Sequence, residues 1–210
     1  MFPSLTAPER RADFVIHLIG LVGLSIAGGF LFAKVVMLDG TVLVLATLVY
    51  WVTAIVSIAV SFAYHLLPRH EWRAILRRWD HAAIYTAMAG VFTPLLVAAG
   101  TPSARIILAL IWAIACLGGW FKLSGDNGDS RWSLISYLGL GAFALLSLPD
   151  LWAQLPPLST YAVGAGTTFY AIGTLFYRKR GSPFRYPIWH SFGTLGGTSF
   201  FVSVWVAVAG

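Results

Sequence analysis

Seven apolar stretches follow one another along the chain, each close to the roughly 20 residues a helix needs to cross the hydrocarbon core of a bilayer. They run near 13–37, 41–66, 80–99, 103–122, 131–149, 159–177 and 188–209. In lipid every backbone N–H and C=O must be bonded, which an isolated segment achieves only as a helix. The expected fold is therefore all-α, a seven-transmembrane helix bundle forming a single domain over 1–210. Composition agrees with this. Only 10% of the 210 residues are charged, where a soluble domain carries about a quarter. That is too few to cover a water-facing surface. No stretch between the spans is long enough for a separate soluble domain.

The connections are short and carry turn chemistry: Asp39-Gly40, Gly100 to Pro102, Gly125-Asp126-Asn127-Gly128-Asp129, and Gln154 to Pro157. The basic residues then fix an orientation. Arg10, Arg11, Arg69, Arg73, Arg77, Arg78, Lys122, Arg131, Arg178, Lys179, Arg180 and Arg185 fall on the side of the N-terminus, and only Lys34 and Arg105 on the other. Positive charge marks the cytoplasmic side, so the N-terminus is expected inside and the C-terminus outside. The expected location is a bacterial inner membrane, with multiple passes. The net charge of +6 serves topology and lipid head groups. No nucleic-acid motif accompanies it, so membrane lipids are the expected partners, and protein partners are not legible.

The first apolar run follows Glu9-Arg10-Arg11 and extends about 24 residues, longer than the apolar core of a signal peptide. It is read as a retained helix. The lone Cys116 excludes an intramolecular disulfide and a cysteine-rich metal motif. Between the second and third spans, Trp72, Ile75, Leu76 and Trp79 recur at helical spacing, with Arg69, Arg73 and Arg77 on another face. Two readings fit: a short helix lying in the interface, or a basic inside loop that also contains His70.

Ionisable residues within membrane spans are costly and point to function. Ser61 and His65 lie four apart, hence on one helical face, near the inside end of the second span. Asp80 and His81 open the third span, and His190 lies near the start of the seventh. Topology alone therefore brings two imidazoles, a carboxylate and a hydroxyl to one membrane depth. Such a set suits zinc, with the carboxylate orienting or deprotonating a bound water. Each residue also has a simpler reading as a helix cap or an interfacial polar group, Asp80 as the N-cap of the third helix. Asp13 and His17 form another same-face pair, read as structural. Pro94 with Thr93 suggests a kink in the third helix, and Gly193, Gly196 and Gly197 a thin surface on the seventh for close packing.

The motifs Ser61-Phe62-Ala63-Tyr64-His65, Asp80-His81-Ala82-Ala83-Ile84-Tyr85, Ala89-Gly90-Val91-Phe92-Thr93-Pro94 and Ile188-Trp189-His190 resemble the haemolysin III family, the bacterial branch of the progestin and adipoQ receptor (PAQR) group. The resemblance implies a zinc site near the cytoplasmic face. In the family a Ser-x-x-x-His on the second helix supplies one ligand, and an Asp opening the third interacts with metal-bound water. A His-x-x-x-His on the seventh supplies two more. His65 and His190 match ligand positions, and Ser61 and Asp80 match their companions. Tyr186 stands where the family has its other histidine, and Phe200 where bacterial members often carry a further one.

Because Pro187 biases its predecessor away from helical geometry, Tyr186 is expected just before the helix and not as a ligand. Water, or Asp80 moving into direct contact, would complete the shell. For function, the resemblance implies an intramembrane zinc hydrolase of a lipid amide or ester, ceramidase-like, with Asp80 as general base and Ser61 positioning water. Two other readings stand beside it: a non-enzymatic receptor-like or pore-forming protein, and an ion-coupled transporter. The ionisable groups gather at one face and no filter motif is present, which weighs against the channel and the transporter.

Overall fold

The computed structural model describes residues 5–38, 40–67, 71–125, 131–179 and 181–210, and only the backbone of 131–134. Its elements are α1 (Ala7–Met37), α2 (Thr41–Leu66), α3 (Arg73–Ala99), α4 (Pro102–Ser124), α5 (Arg131–Ala144), a 3-10 turn (Leu145–Ser147), α6 (Leu148–Gln154), α7 (Pro157–Arg178) and α8 (Arg185–Ala209). Among the described residues six stretches are long and apolar enough to cross a membrane: α1, α2, α3, α4, the run Ile135–Gln154, and α8. Their outward faces carry Ile19, Phe30, Ile106, Leu117 and Phe121, each 61–69% exposed, an arrangement stable in lipid and costly in water. The protein is thus a multi-pass membrane protein. α7 has 22 residues, but its three glycines and five Ser and Thr dilute its apolar character.

α3 is the hub. Of its most apolar stretch 67% is buried, against 17–28% in the other five. It packs on α2, α4 and α8, while α1 packs on α2 and α8, and α7 lies along α8. Leu95 and Leu96 of α3, Leu31 and Val35 of α1 and Ile111 of α4 are fully buried in the core.

Local chemistry explains where the helices break. Gly100 closes α3 with a left-handed φ of 69°, and its N–H donates to the Leu96 carbonyl at 3.2 Å. Thr101 then caps α4 by accepting from the Ala104 N–H at 3.0 Å. Pro149 explains the step between α5 and α6. It has no N–H for the carbonyl of Leu145, and its ring crowds that carbonyl. The turn before it tightens to 3-10, and Ser147 donates its hydroxyl to the Ala144 carbonyl at 2.6 Å. The expected fifth span therefore extends through α6.

Three expectations need correction. α3 begins at Arg73, so the segment from Arg73 to Trp79 is its first two turns and not a separate interfacial helix. No Gly or Pro interrupts Arg73–Asp80, and hydropathy marks where the lipid begins, not where the helix does. For the same reason Asp80 is not an N-cap: Trp72 holds that position. Of the three glycines proposed to thin the last helix, only Gly196 makes a close approach. A Cβ there would lie 2.6 Å from the Tyr170 ring and 3.2 Å from the Gly166 carbonyl, whereas Gly193 and Gly197 face open space. Asp39, Arg69, His70, Asp126, Asn127, Gly128, Asp129 and Arg180 lie outside the described residues.

Candidate metal centre

The polar site forms where the start of α1, the end of α2 and the starts of α3 and α8 meet. On α1, Glu9, Asp13 and His17 follow one another at four-residue spacing and so line one face. That face looks at α8. Glu9 anchors it twice. One carboxylate oxygen accepts from the Thr6 N–H at 2.8 Å in a capping box, and the other accepts from the Phe184 N–H at 2.7 Å. Phe184 caps α8 in a left-handed conformation, φ 54°. One turn further along α1, the Asp13 carboxylate meets His190 Nδ1 at 2.5 Å.

Asp13 is fully buried and His17 nearly so. Asp13 orients two imidazoles. His17 Nδ1 lies 2.9 Å from the Asp13 backbone carbonyl, which can only accept, so Nδ1 carries the proton and Nε2 is left with its lone pair. His190 Nδ1, set against the Asp13 carboxylate, likewise leaves its Nε2 available as a ligand. His17 Nε2 faces the Ser61 hydroxyl at 3.3 Å.

His65 completes the cluster. Its ring centroid is 4.6 Å from that of His190 and 6.2 Å from that of His17, and His17 and His190 are 4.4 Å apart. Tyr186 lies 5.0 Å from His65. Asp80 is buried, and Ser61, His190 and Asp13 are all near enough to act on its carboxyl.

The donor set suits a cation. Asp13, His17 and His190 each place one ligand atom within 4.8 Å of the others. Asp13 Oδ2 and His65 Nδ1 are buried and find no hydrogen-bond partner among the described residues. Buried polar atoms are normally bonded, and a cation held in this cluster would give such atoms a partner. Imidazole and carboxylate ligands together fit zinc and neighbouring first-row metals.

Ser61, His65, Asp80 and His190, expected at one membrane depth, are thus found together. Two readings change. Asp13 and His17, taken as a structural pair, lie at the centre of the group. The signal was present in their four-residue spacing at the same end of the bundle. Tyr186, expected ahead of the helix, lies inside it: α8 starts at Arg185. Pro187 falls in the first turn, where the missing N–H would have no helical acceptor. Tyr186 therefore shares the face of His190, one turn before it.

Comparison with known proteins gives the chain's relatives. A family model described as Haemolysin-III related matches residues 7–200. The chain is 28% identical over 196 residues to the hemolysin-3 homolog of Bacillus subtilis (strain 168), covering 92% of this chain and 91% of that protein. It is 29% identical over 193 residues to hemolysin-3 of Bacillus cereus, covering 91% and 87%.

Proposed function

The chain belongs to the haemolysin-III related family, and from that premise we propose that it is a metal-dependent hydrolase of the bacterial inner membrane. It would hold zinc where α1, α2 and α8 meet and cleave an amide or ester bond of a membrane lipid. The carrying observation is the convergence of three imidazoles and a fully buried carboxylate from three helices, with Asp13 Oδ2 and His65 Nδ1 unbonded.

His17, His65 and His190 are the proposed ligands. His17 supplies the third imidazole that the family places at the position of Tyr186. Asp13 holds His190 in its ligating tautomer and is itself close enough to bind the cation. A divalent cation there would supply Lewis acidity and a water acidic enough to ionise near neutral pH. Asp80 would serve as the proton acceptor for such a water, and the Ser61 hydroxyl would orient it. The buried setting strengthens each of these interactions.

The topology that goes with this function has seven crossings, with the N-terminus inside and the C-terminus outside. The contact of His190 with Asp13 supports it. Five crossings, ending with α6, lead away from the end where α1 starts. The start of α8 lies against the start of α1, so α7 must return across the membrane.

Metal analysis of purified protein tests the centre. Close to one equivalent of zinc is expected, removable by chelation and lost in His190→Ala. Protein that stays zinc-free after expression in zinc-supplemented medium sinks the reading. Turnover of a short-chain lipid amide or ester tests the chemistry. Asp80→Asn should retain zinc and lose about 10²–10⁴ in rate, the usual worth of a general base. A zinc-loaded protein that cleaves no lipid amide or ester would leave the metal structural and the hydrolase assignment wrong.

A further inference from the structure

Beside the polar stripe of α1 runs a second stripe, Ala7, Arg10, Arg11, Phe14 and Val15, which with Leu66 of α2 lines a groove of about 540 Å³. The volume falls in the range of small-molecule sites, roughly 300–1,000 Å³. Its two ends differ in chemistry. Arg10 and Arg11 stand at one end, within the first turns of α1, where the helix dipole adds positive potential. Phe14, Val15 and Leu66 form an apolar floor at the other. Phe14 is steadied by Phe62, with ring centroids 5.8 Å apart, yet it is 44% exposed and Val15 is 50% exposed. None of the six lining residues is acidic.

We propose that this groove is a binding site for an anionic phospholipid, with the phosphate held by Arg10 and Arg11 and the start of one acyl chain laid along Phe14, Val15 and Leu66. Guanidinium groups match phosphate oxygens in a planar, two-bond geometry that a zwitterionic lipid's own ammonium would partly offset. The apolar floor gives the acyl chain a wall that a free phosphate cannot use. The change from basic to apolar along α1 follows the change from head group to hydrocarbon at a membrane interface. The groove backs onto the metal centre, since Phe14 follows Asp13 and Leu66 follows His65. It draws no ligand from that centre, and lipid retention is expected in metal-free protein as well.

Native mass spectrometry of the purified full chain, titrated with phosphatidylglycerol or phosphatidylcholine, tests the site. One phosphatidylglycerol should be retained per chain, at least tenfold more tightly than phosphatidylcholine. The double variant Arg10→Gln, Arg11→Gln should lose that preference. Val15→Trp, which fills the floor and leaves both arginines, should lose the lipid too. Arg105→Gln, in the first turn of α4, should bind as wild type. Thermal melts of each variant establish that the fold is kept. Equal binding of the two lipids, or full retention in the double variant, overturns the proposal. Full retention in Val15→Trp, or displacement by excess inorganic phosphate, overturns it too, by showing a basic patch that needs no groove.

Discussion

Asp13 shows how one residue can organise a site without its importance being visible in its neighbours. Its carbonyl fixes His17, and its carboxylate fixes a histidine 177 residues away. Substitution can separate its two candidate roles. As an orienting partner of His190, Asp13→Asn should weaken zinc binding by about 10–100-fold, the usual worth of such a partner. As a direct ligand it should cost more. His17→Ala and His65→Ala should each cost more than that, and zinc titration of the three variants ranks them. A His17→Ala protein that binds zinc as wild type would remove α1 from the ligand set.

Tyr186 gives a second test at this scale. It shares His190's helical face and lies 5.0 Å from His65, so Tyr186→His adds an imidazole on the stripe that holds the ligands. Zinc affinity should rise, each tenfold gain being about 1.4 kcal/mol. Tyr186→Phe should change it little, and a large loss there would identify the phenol as a ligand. Ser61, His65, Asp80 and His190 were legible from depth alone, because helices of bilayer length put residues near their ends at one level. The contact between Asp13 and His190 was not. It depends on which helices are neighbours, and no spacing within a span encodes that.

Elements are positioned by small residues and by proline more than by their apolar content. At the crossing of α7 and α8, Gly166 and Gly196 let the backbones approach until a Cβ on Gly166 would lie 3.1 Å from the Gly196 carbonyl. Lipid-exposed helices gain little hydrophobic energy from pairing, so close packing of this kind holds them together. Gly196→Leu should therefore loosen α8 and cost about 1–3 kcal/mol, as overpacking usually does. Gly193→Leu, facing open space, should be nearly neutral. Reversible unfolding in mixed micelles compares them, and equal losses would show that the seam does not depend on Gly196. Helix existence was readable from the apolar runs, and Gly100 and Thr101 from their turn chemistry. The true start of α3 was not, because its first two turns are as helical as the rest but not apolar. The choice of Gly196 over Gly193 and Gly197 was not either, since it depends on the rotation of α8 about its own axis.

At the scale of the whole molecule, the candidate metal centre and the topology constrain each other. Residues of α1, α2, α3 and α8 share the site, so the start of α1, the end of α2 and the starts of α3 and α8 must lie at one membrane face. α7 is the one long helix among the described residues with no stretch apolar enough to count as a span by itself, and it decides the count. If it crosses, the chain has seven spans and the C-terminus lies opposite the N-terminus. If it does not, His190 could reach Asp13 only by leaving the end of the bundle where α8 now starts. On the proposed topology, the excess of basic residues on the N-terminal side would put that face in the cytoplasm. Single cysteines in a Cys116→Ser background test both points, at Ser103 in the first turn of α4, at Ser182 between α7 and α8, and at Gly210. A membrane-impermeant maleimide added to whole cells, with the outer membrane permeabilised where one is present, should label Ser103→Cys and Gly210→Cys. It should reach Ser182→Cys only after lysis. Labelling of Ser182→Cys from outside would mean that α7 does not return across the membrane. The group of Asp13, His17, His65 and His190 could then not assemble as described, and the proposed zinc chemistry would fall with the seven-span topology.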